Sequence, residues 1–128
     1  MATLVDLHSY VDRLLRAADD DGAFLIITVS GTEDFVQLIA DCEGVEIDFP
    51  LITGRQKGFE WKFRSIAEFE GCPLSENRGD DGARFLDVEL PADSAEVSRI
   101  VELFLVELFG VGPHTELDFE GDCLETNH

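Results

Sequence analysis

The sequence contains few side chains whose type and spacing would support chemistry. Its three histidines, His8, His114 and His128, lie far apart along the chain, and none forms a pattern with a cysteine. Histidine acts as an acid, a base or a metal ligand near neutral pH, but such a site needs a second functional group beside it. We therefore interpret each histidine as a surface residue.

The cysteines also argue against a metal or redox site. Cys42, Cys72 and Cys123 are three in number and show neither a CxxC pair nor the spacing of metal ligands. A disulfide framework uses an even number of cysteines at regular spacings. The simplest interpretation is that all three are reduced thiols in a cytoplasmic protein.

Carboxylates are abundant and occur in alternating pairs, Glu46 with Asp48 and Asp87 with Glu89. A glycosidase uses two acids of this kind, placed on either side of the bond that it cleaves. Alternation along a strand, however, puts both acids of a pair on one face. A strand face in contact with water explains these pairs most simply.

Two acidic turns, DDDG at 19–22 and GDDG at 79–82, superficially resemble calcium-binding loops. The EF-hand loop requires acids at alternate positions and a glutamate at its twelfth position. Counted from Asp19, the twelfth residue is Ser30, so the pattern fails. The phosphate-loop, dinucleotide-binding, zinc-protease and hydrolase motifs do not occur either. We predict no enzyme activity, no metal site and no cofactor.

A cluster of basic residues interrupts this acidic chain. Arg55, Lys57, Lys62 and Arg64 are four of its nine basic residues and fall within ten positions. One interpretation is that they relieve repulsion by facing acidic neighbours. The alternative is a contact patch for an acidic surface, including a second copy of the chain. Trp61 lies inside this cluster and off the apolar stripe of its helix, which is typical of interface tryptophans and also of an aromatic at the edge of a core.

The last predicted helix carries apolar residues beyond its core stripe. Leu103, Val106 and Phe109 lie off that stripe, so the helix is apolar on nearly all sides towards Gly110. Such a helix is normally covered on more than one side, by its own domain or by another subunit. The predicted protein-binding or dimer-interface residues are therefore Arg55, Lys57, Trp61, Lys62, Arg64, Leu103, Val106 and Phe109.

The net charge of −19 at pH 7 limits the possible partners. Nucleic-acid binding needs a basic surface for the phosphates, and an anionic membrane repels an acidic chain. A basic protein partner is compatible with this charge, as is a simple role in solubility. The chain has no run of about 20 apolar residues to span a membrane, and its N-terminus does not resemble a signal peptide.

The pattern of the chain predicts one domain at residues 1–120 and a flexible acidic tail at 121–128. Apolar or alternating stretches at 24–29, 35–40 and 45–49 are separated by short turns, which predicts three antiparallel strands in a meander. An isolated meander cannot bury its apolar face, so helices must cover it.

Three helices and one more strand are predicted around this meander. The first helix follows Thr3, the second covers Gln56–Glu70, and the last begins at Asp93, which can cap it. The further strand covers Ala83–Leu90, after an irregular loop at 71–82. The predicted class is α+β, an antiparallel sheet packed against helices in the order α-β-β-β-α-β-α.

This order resembles the type III secretion chaperone fold and its YbjN relatives. The resemblance rests on FLIITVSGTEDFVQLIADCEGVEIDFPL, on GARFLDVELPAD and on VELFLVELFGV followed by ELDFE, and it covers about Leu4 to Glu120. It implies an ATP-independent chaperone or adaptor, typically a homodimer, that holds an extended partner segment against apolar patches. Secretion chaperones usually have more sheet between the second and last helices, so the strand edge used for dimerisation is expected to differ.

We therefore expect a non-enzymatic, cytoplasmic protein that binds a peptide or protein segment as a homodimer, with no nucleic acid or membrane partner. The alternative is an acidic inhibitor of the immunity or antitoxin type, which neutralises a basic enzyme by electrostatic complementarity. A steep salt dependence of binding would favour the inhibitor, and retention of apolar segments at high salt would favour the chaperone.

Overall fold

The computed structural model describes residues 2–19 and 22–121 of the chain. These residues form one six-stranded antiparallel sheet with helices packed against it, so the predicted α+β class is confirmed. The strands are β1 (Ala23–Val29), β2 (Phe35–Ala40), β3 (Val45–Leu51), β4 (Leu74–Arg78), β5 (Arg84–Leu90) and β6 (Leu117–Gly121). A 3₁₀ turn (Leu4–Asp6) precedes the α-helices, which are α1 (Leu7–Ala17), α2 (Gly54–Gly58), α3 (Glu60–Phe69) and α4 (Ser94–Phe109).

The predicted meander lies at the centre of the sheet. The strand order is β4-β5-β3-β2-β1-β6, so β1, β2 and β3 are consecutive neighbours. The strand predicted at Ala83–Leu90 corresponds to β5, and it pairs with β3 over the full length of both strands. Because successive residues of a strand face opposite sides, this register decides which side chains of β3 and β5 meet.

The core fills the space between the helices and one face of the sheet. The inward-facing residues of the central strands are fully buried, among them Leu25, Leu38, Ile47 and Val88. Large buried side chains from the helices are Leu7 and Leu14 of α1, Phe63 of α3, and Ile100 and Phe104 of α4. On the other face of the same strands, most residues are half-buried or exposed.

The predicted element order was wrong at three points. β4 lies inside the segment 71–82 that was predicted as an irregular loop, and β6 extends the sheet beside β1. The helix predicted over Gln56–Glu70 is interrupted at Phe59, where α2 ends and α3 begins. The first helical segment follows Thr3, as predicted, and begins with the 3₁₀ turn Leu4–Asp6. Gly121 belongs to β6, and residues 122–128, the rest of the predicted tail, lie outside the described residues.

The last helix, α4, has the predicted ends and is covered on several sides by its own chain. The Asp93 side chain accepts hydrogen bonds from the backbone N–H groups of Ala95 and Glu96, and Gly110 closes the helix in the left-handed conformation at φ 68°. Helices α1 and α3 both contact α4. Packing within the domain therefore explains most of the apolar residues that lie around α4.

Candidate functional site

The most exposed aromatic side chains of the described residues lie on α3. Trp61 and Phe69 retain 77% and 88% of their full exposure, although large apolar residues are normally buried. They line an open groove between α3 and α4 with a volume of about 400 Å³. Its walls are formed by Trp61, Lys62, Ser65, Ile66, Phe69, Glu70, Leu103 and Glu107. We call this surface the α3–α4 groove.

The spacing of residues along α3 explains why the rings of Trp61 and Phe69 face outward. Trp61, Ser65 and Phe69 are four residues apart and therefore form one stripe along α3. The buried residues of α3, including Phe63 and Ala67, lie on the other side of the helix. The exposed position of Trp61 follows from the sequence pattern; Phe69 lies eight residues further along the same stripe, a signal that the prediction missed.

The floor and rim of the groove differ in character. Ile66, which is 9% exposed, and the half-buried Leu103 provide an apolar floor between the two helices. At the rim, Glu70 is already bound to Arg99, with an N–O distance of 2.9 Å. Lys62 and Glu107 make no ion pair with any described residue. The groove thus offers apolar contact area with one cation and one anion at its edges.

The structure brings only some of the predicted site residues together. Trp61, Lys62 and Leu103 share the α3–α4 groove. The half-buried Val106 is on α4 outside the residues that line it, and the exposed Lys57 is on α2. Phe109 packs against the rings of Phe59 and Phe49 at the edge of the core, with centroid distances of 5.3 and 6.4 Å.

Arg55 is held by an acidic neighbour within the chain. Its guanidinium donates two hydrogen bonds, of 2.6 and 2.7 Å, to the buried carboxylate of Asp34, and it lies over the ring of Phe59. The hydrogen bonds and the charge of Asp34 raise the pKa of Arg55. This arginine therefore neutralises a buried acid, as the first interpretation of the basic cluster predicts.

Arg64 belongs to a second such network, which ties α3 to the edge of the sheet. Arg64 and Arg84 both donate to Glu60 and to Glu76, at distances between 2.7 and 3.1 Å. Arg84 is the main cause of the low pKa of Glu76, about 2, and of the lowered pKa of Glu60. Because Glu76 lies on β4, this network fastens the edge strand to α3.

The alternating carboxylates of β3 and β5 do not all meet water. Asp48 lies opposite Asp87, and Glu46 lies opposite Glu89. Asp87 keeps only 3% of its exposure, so its interpretation as part of a solvated strand face was wrong. The reason is β4, which lies beside β5 and whose Asn77 donates a hydrogen bond to Asp87. Burial, followed by the hydrogen bond and charge of Asp48, raises the pKa of Asp87 from 3.8 to about 7.

Histidines and cysteines do not converge on a site within the described part of the chain. No group of three or more His, Cys, Asp or Glu side chains among these residues is arranged to hold a metal ion. His8 and His114 are exposed, as predicted. Cys42 is exposed and Cys72 half-buried, and neither forms a disulfide; burial is the main cause of the raised pKa of the Cys72 thiol. Cys123 and His128 lie outside the described residues.

Comparison with known proteins adds no family to this description. No protein-family model, curated protein or solved structure matches the chain. The resemblance to type III secretion chaperones and their YbjN relatives therefore stays a prediction. Within residues 2–19 and 22–121, no helix has both the length and the hydropathy that a membrane crossing requires.

Proposed function

We propose that this protein is a non-enzymatic, chaperone-like adaptor that binds an apolar segment of another protein in the α3–α4 groove. The observation that carries the proposal is the exposure of Trp61 and Phe69, at 77% and 88%, along the α3 side of a groove with an apolar floor. Exposed apolar patches rimmed by polar residues mark interaction sites. Trp is also the residue type most enriched among those that dominate binding energy.

Burial of the two exposed rings contributes a large share of the free energy that specific binding needs. Aromatic side chains bury roughly 150–250 Å² each, so covering the exposed 77% of Trp61 and 88% of Phe69 is worth at most about 6–10 kcal/mol at about 25 cal/mol per Å². Association costs several kcal/mol of that gain. A groove between two helices suits an amphipathic helical segment whose apolar side chains lie one turn apart. On such a segment, flanking charges would meet Lys62 and Glu107.

The test uses Trp61, the only tryptophan of the chain. Peptides are selected against the intact protein at high salt, which weakens purely electrostatic binding, and the best are titrated against Trp61 fluorescence. We expect a shift to the emission of a buried indole. Phe69→Ser, followed in the same experiment, should weaken binding at least about tenfold, because it removes half of the aromatic contact.

A matched control separates the groove from general apolar attraction. Ile52 is also an exposed apolar residue, at 53%, but does not line the groove, so Ile52→Ser should leave binding unchanged. Substitutions of exposed residues change stability by less than about 0.5 kcal/mol, so Phe69→Ser should unfold at the same urea concentration as the parent. Peptides that bind Phe69→Ser and the parent equally well would contradict the proposal.

The homodimer stays a prediction. Both edges of the sheet disfavour pairing with a second copy, because β4 presents charged residues and β6 presents Asp118 and Glu120. If a second copy occupies the α3–α4 groove instead, light scattering will give twice the chain mass for the parent and the monomer mass for Trp61→Ser. A monomeric parent leaves the groove free for another partner.

A further inference from the structure

The face of the sheet opposite the helices carries an apolar strip between two acidic rows; we call this surface the open face. The strip contains the half-buried or exposed residues Phe24, Ile26, Phe35 and Ile39. Beside it on β6 lie the exposed acids Asp118 and Glu120. On its other side, β3 and β5 contribute Glu46, Asp48, Asp87 and Glu89.

The acids of β3 and β5 oppose one another directly. Asp48 is the cross-strand partner of Asp87, and Glu46 is that of Glu89. Like charges in this relation destabilise a sheet. Two successive pairs of this kind concentrate negative charge on one small area, which a cation from outside the chain would stabilise.

A buried oxygen of Asp87 receives no hydrogen bond from a donor group in the described part of the chain. Its Oδ2 accepts a hydrogen bond from Asn77, but Oδ1 is inaccessible to solvent and accepts none. A buried carboxylate oxygen without a hydrogen bond is costly. Asp87 lines a hollow of about 210 Å³, together with Asp48 and Glu46. The hollow is therefore lined by negatively charged residues, and a carboxylate oxygen that no donor satisfies lies buried in one of them.

The chain's own described cations do not fill this role. Arg78 lines the hollow but lies 3.6 Å from Glu76. Arg84, the cross-strand neighbour of Arg78, is engaged by Glu60 and Glu76. The carboxylates also lack the arrangement of a metal site. In the isolated chain, a proton on Asp87 that forms a hydrogen bond to Asp48 is the remaining way to stabilise the pair.

We propose that the open face binds a basic, amphipathic segment of a protein partner, with an arginine or lysine entering the hollow at Asp48 and Asp87. Apolar side chains of that segment would cover the strip formed by β1 and β2, and further cations would meet the acids on both sides. Charge complementarity with a chain of net charge −19 favours this partner. The site is separate from the α3–α4 groove, because the sheet lies between them.

Binding should depend on pH, because the incoming cation replaces a proton. The pKa of Asp87 is about 7, and that of Glu46 is raised, mainly by burial and then by the charges of Asp87, Glu89 and Asp41. The charged groups that surround Asp87 are Asp48 and Glu46 of β3, Glu89 of β5 and Arg78 of β4. If one proton is released, affinity should rise about tenfold between pH 6 and pH 8.

The test measures the anisotropy of a fluorescein-labelled peptide of alternating arginine and leucine residues, titrated with the whole protein at about 0.1 M salt. The variant carries Glu46→Gln and Asp48→Asn. Its control carries Glu68→Gln and Glu102→Gln, which remove the same charge from exposed positions on α3 and α4. We expect the first pair to weaken binding at least about tenfold and the control pair less than about twofold.

Several outcomes would overturn the proposal. Equal losses in the two double variants would show general attraction to an acidic protein, and undiminished binding to the Glu46–Asp48 variant would exclude the hollow. Displacement of the peptide by calcium chloride at constant ionic strength would assign the hollow to a metal ion. Loss of peptide binding in Phe69→Ser would place the peptide in the α3–α4 groove instead. Urea unfolding of each variant confirms that it is folded.

Discussion

Asp87→Asn tests the electrostatics of the open face without a ligand. Asparagine has nearly the shape of aspartate but carries no charge, so its oxygen can still accept from Asn77 and its amide can donate to Asp48. The substitution removes a carboxylate whose pKa is raised from 3.8 to about 7 in the folded chain, mainly by burial and then by Asp48. We expect the variant to be more stable than the parent at pH 8.

Whether the substitution stabilises or destabilises the chain follows from the direction in which folding changes the pKa of Asp87. Below about pH 3, Asp87 is protonated in both the folded and the unfolded chain and does not change the free energy of unfolding with pH. Between about pH 4 and pH 7, the unfolded chain loses this proton first, so the free energy of unfolding of the parent falls as the pH rises. Above about pH 7, Asp87 is ionised in both states, and it lowers the free energy of unfolding of the parent no further. The asparagine variant lacks this contribution.

The size of the effect has an upper bound set by the pKa. A change from 3.8 to about 7 corresponds to at most about 4 kcal/mol, at about 1.4 kcal/mol per pH unit. The pair lies on a sheet face that water and salt reach in part, and screening reduces interactions of this kind. We therefore expect Asp87→Asn to stabilise the chain by about 1–2 kcal/mol at pH 8, with the gain shrinking towards zero near pH 4.

Urea unfolding of the parent and the variant, at several values between pH 4 and pH 8, measures this difference directly. Other carboxylates titrate over the same range, and subtracting the two curves removes their contribution. Asp118→Asn is the matched control, because Asp118 is exposed on the same face but lies opposite Thr28. A variant that is less stable than the parent at pH 8 by more than about 1 kcal/mol would refute the reasoning, since it would show that the charged form of Asp87 is favourably bound.

Two predictions concern the packing that supports both surfaces. Phe49 is 1% exposed and stacks on Phe63 with a centroid distance of 5.0 Å. Phe49→Ala should therefore lower the free energy of unfolding, measured in urea, by about 3–5 kcal/mol. A loss below about 1 kcal/mol would mean that the core closes around the cavity. A methyl group at Gly44 would lie 2.7 Å from the backbone oxygen of Leu90. Gly44→Ala should therefore lower the free energy of unfolding by about 1–3 kcal/mol in the same assay. Gly54→Ala is the control, because its methyl group would meet no atom within 4 Å, and it should lower the free energy of unfolding much less.

The sequence patterns predicted the centre of the fold because that centre is apolar and periodic. Alternation identified β3 and β5, and the short turns made β1, β2 and β3 neighbours. β4 has the sequence LSENR and only one apolar residue, so no pattern marks it. It is held instead by pairing with β5 and by the bonds from Glu76 to arginines that lie 8 and 12 residues away in the chain.

The two candidate surfaces differ in the same way: a local sequence pattern predicts part of the α3–α4 groove, but none predicts the acidic pair of the open face. Trp61 could be identified from the sequence because the angle between residues on a helix is a local property. The opposition of Asp48 and Asp87 could not, since it depends on the register between two strands that are far apart in the chain. The burial of Asp87 depends further on β4, the strand that the prediction missed. The sequence shows that each acid is present, but it does not show which residue lies opposite that acid or how deeply the acid is buried.

The two surfaces can be told apart by salt because different forces act on them. Burial of Trp61 and Phe69 is driven by the hydrophobic effect, which salt does not screen, whereas attraction to the open face weakens as the ionic strength rises. They also lie on opposite sides of the sheet, so occupation of one does not block the other. Under these two proposals, we expect a partner retained at high salt to bind in the α3–α4 groove, and one released at high salt and at pH 6 to bind on the open face. A chain that binds both at once would connect an apolar segment to a basic protein, which is the physical meaning of an adaptor.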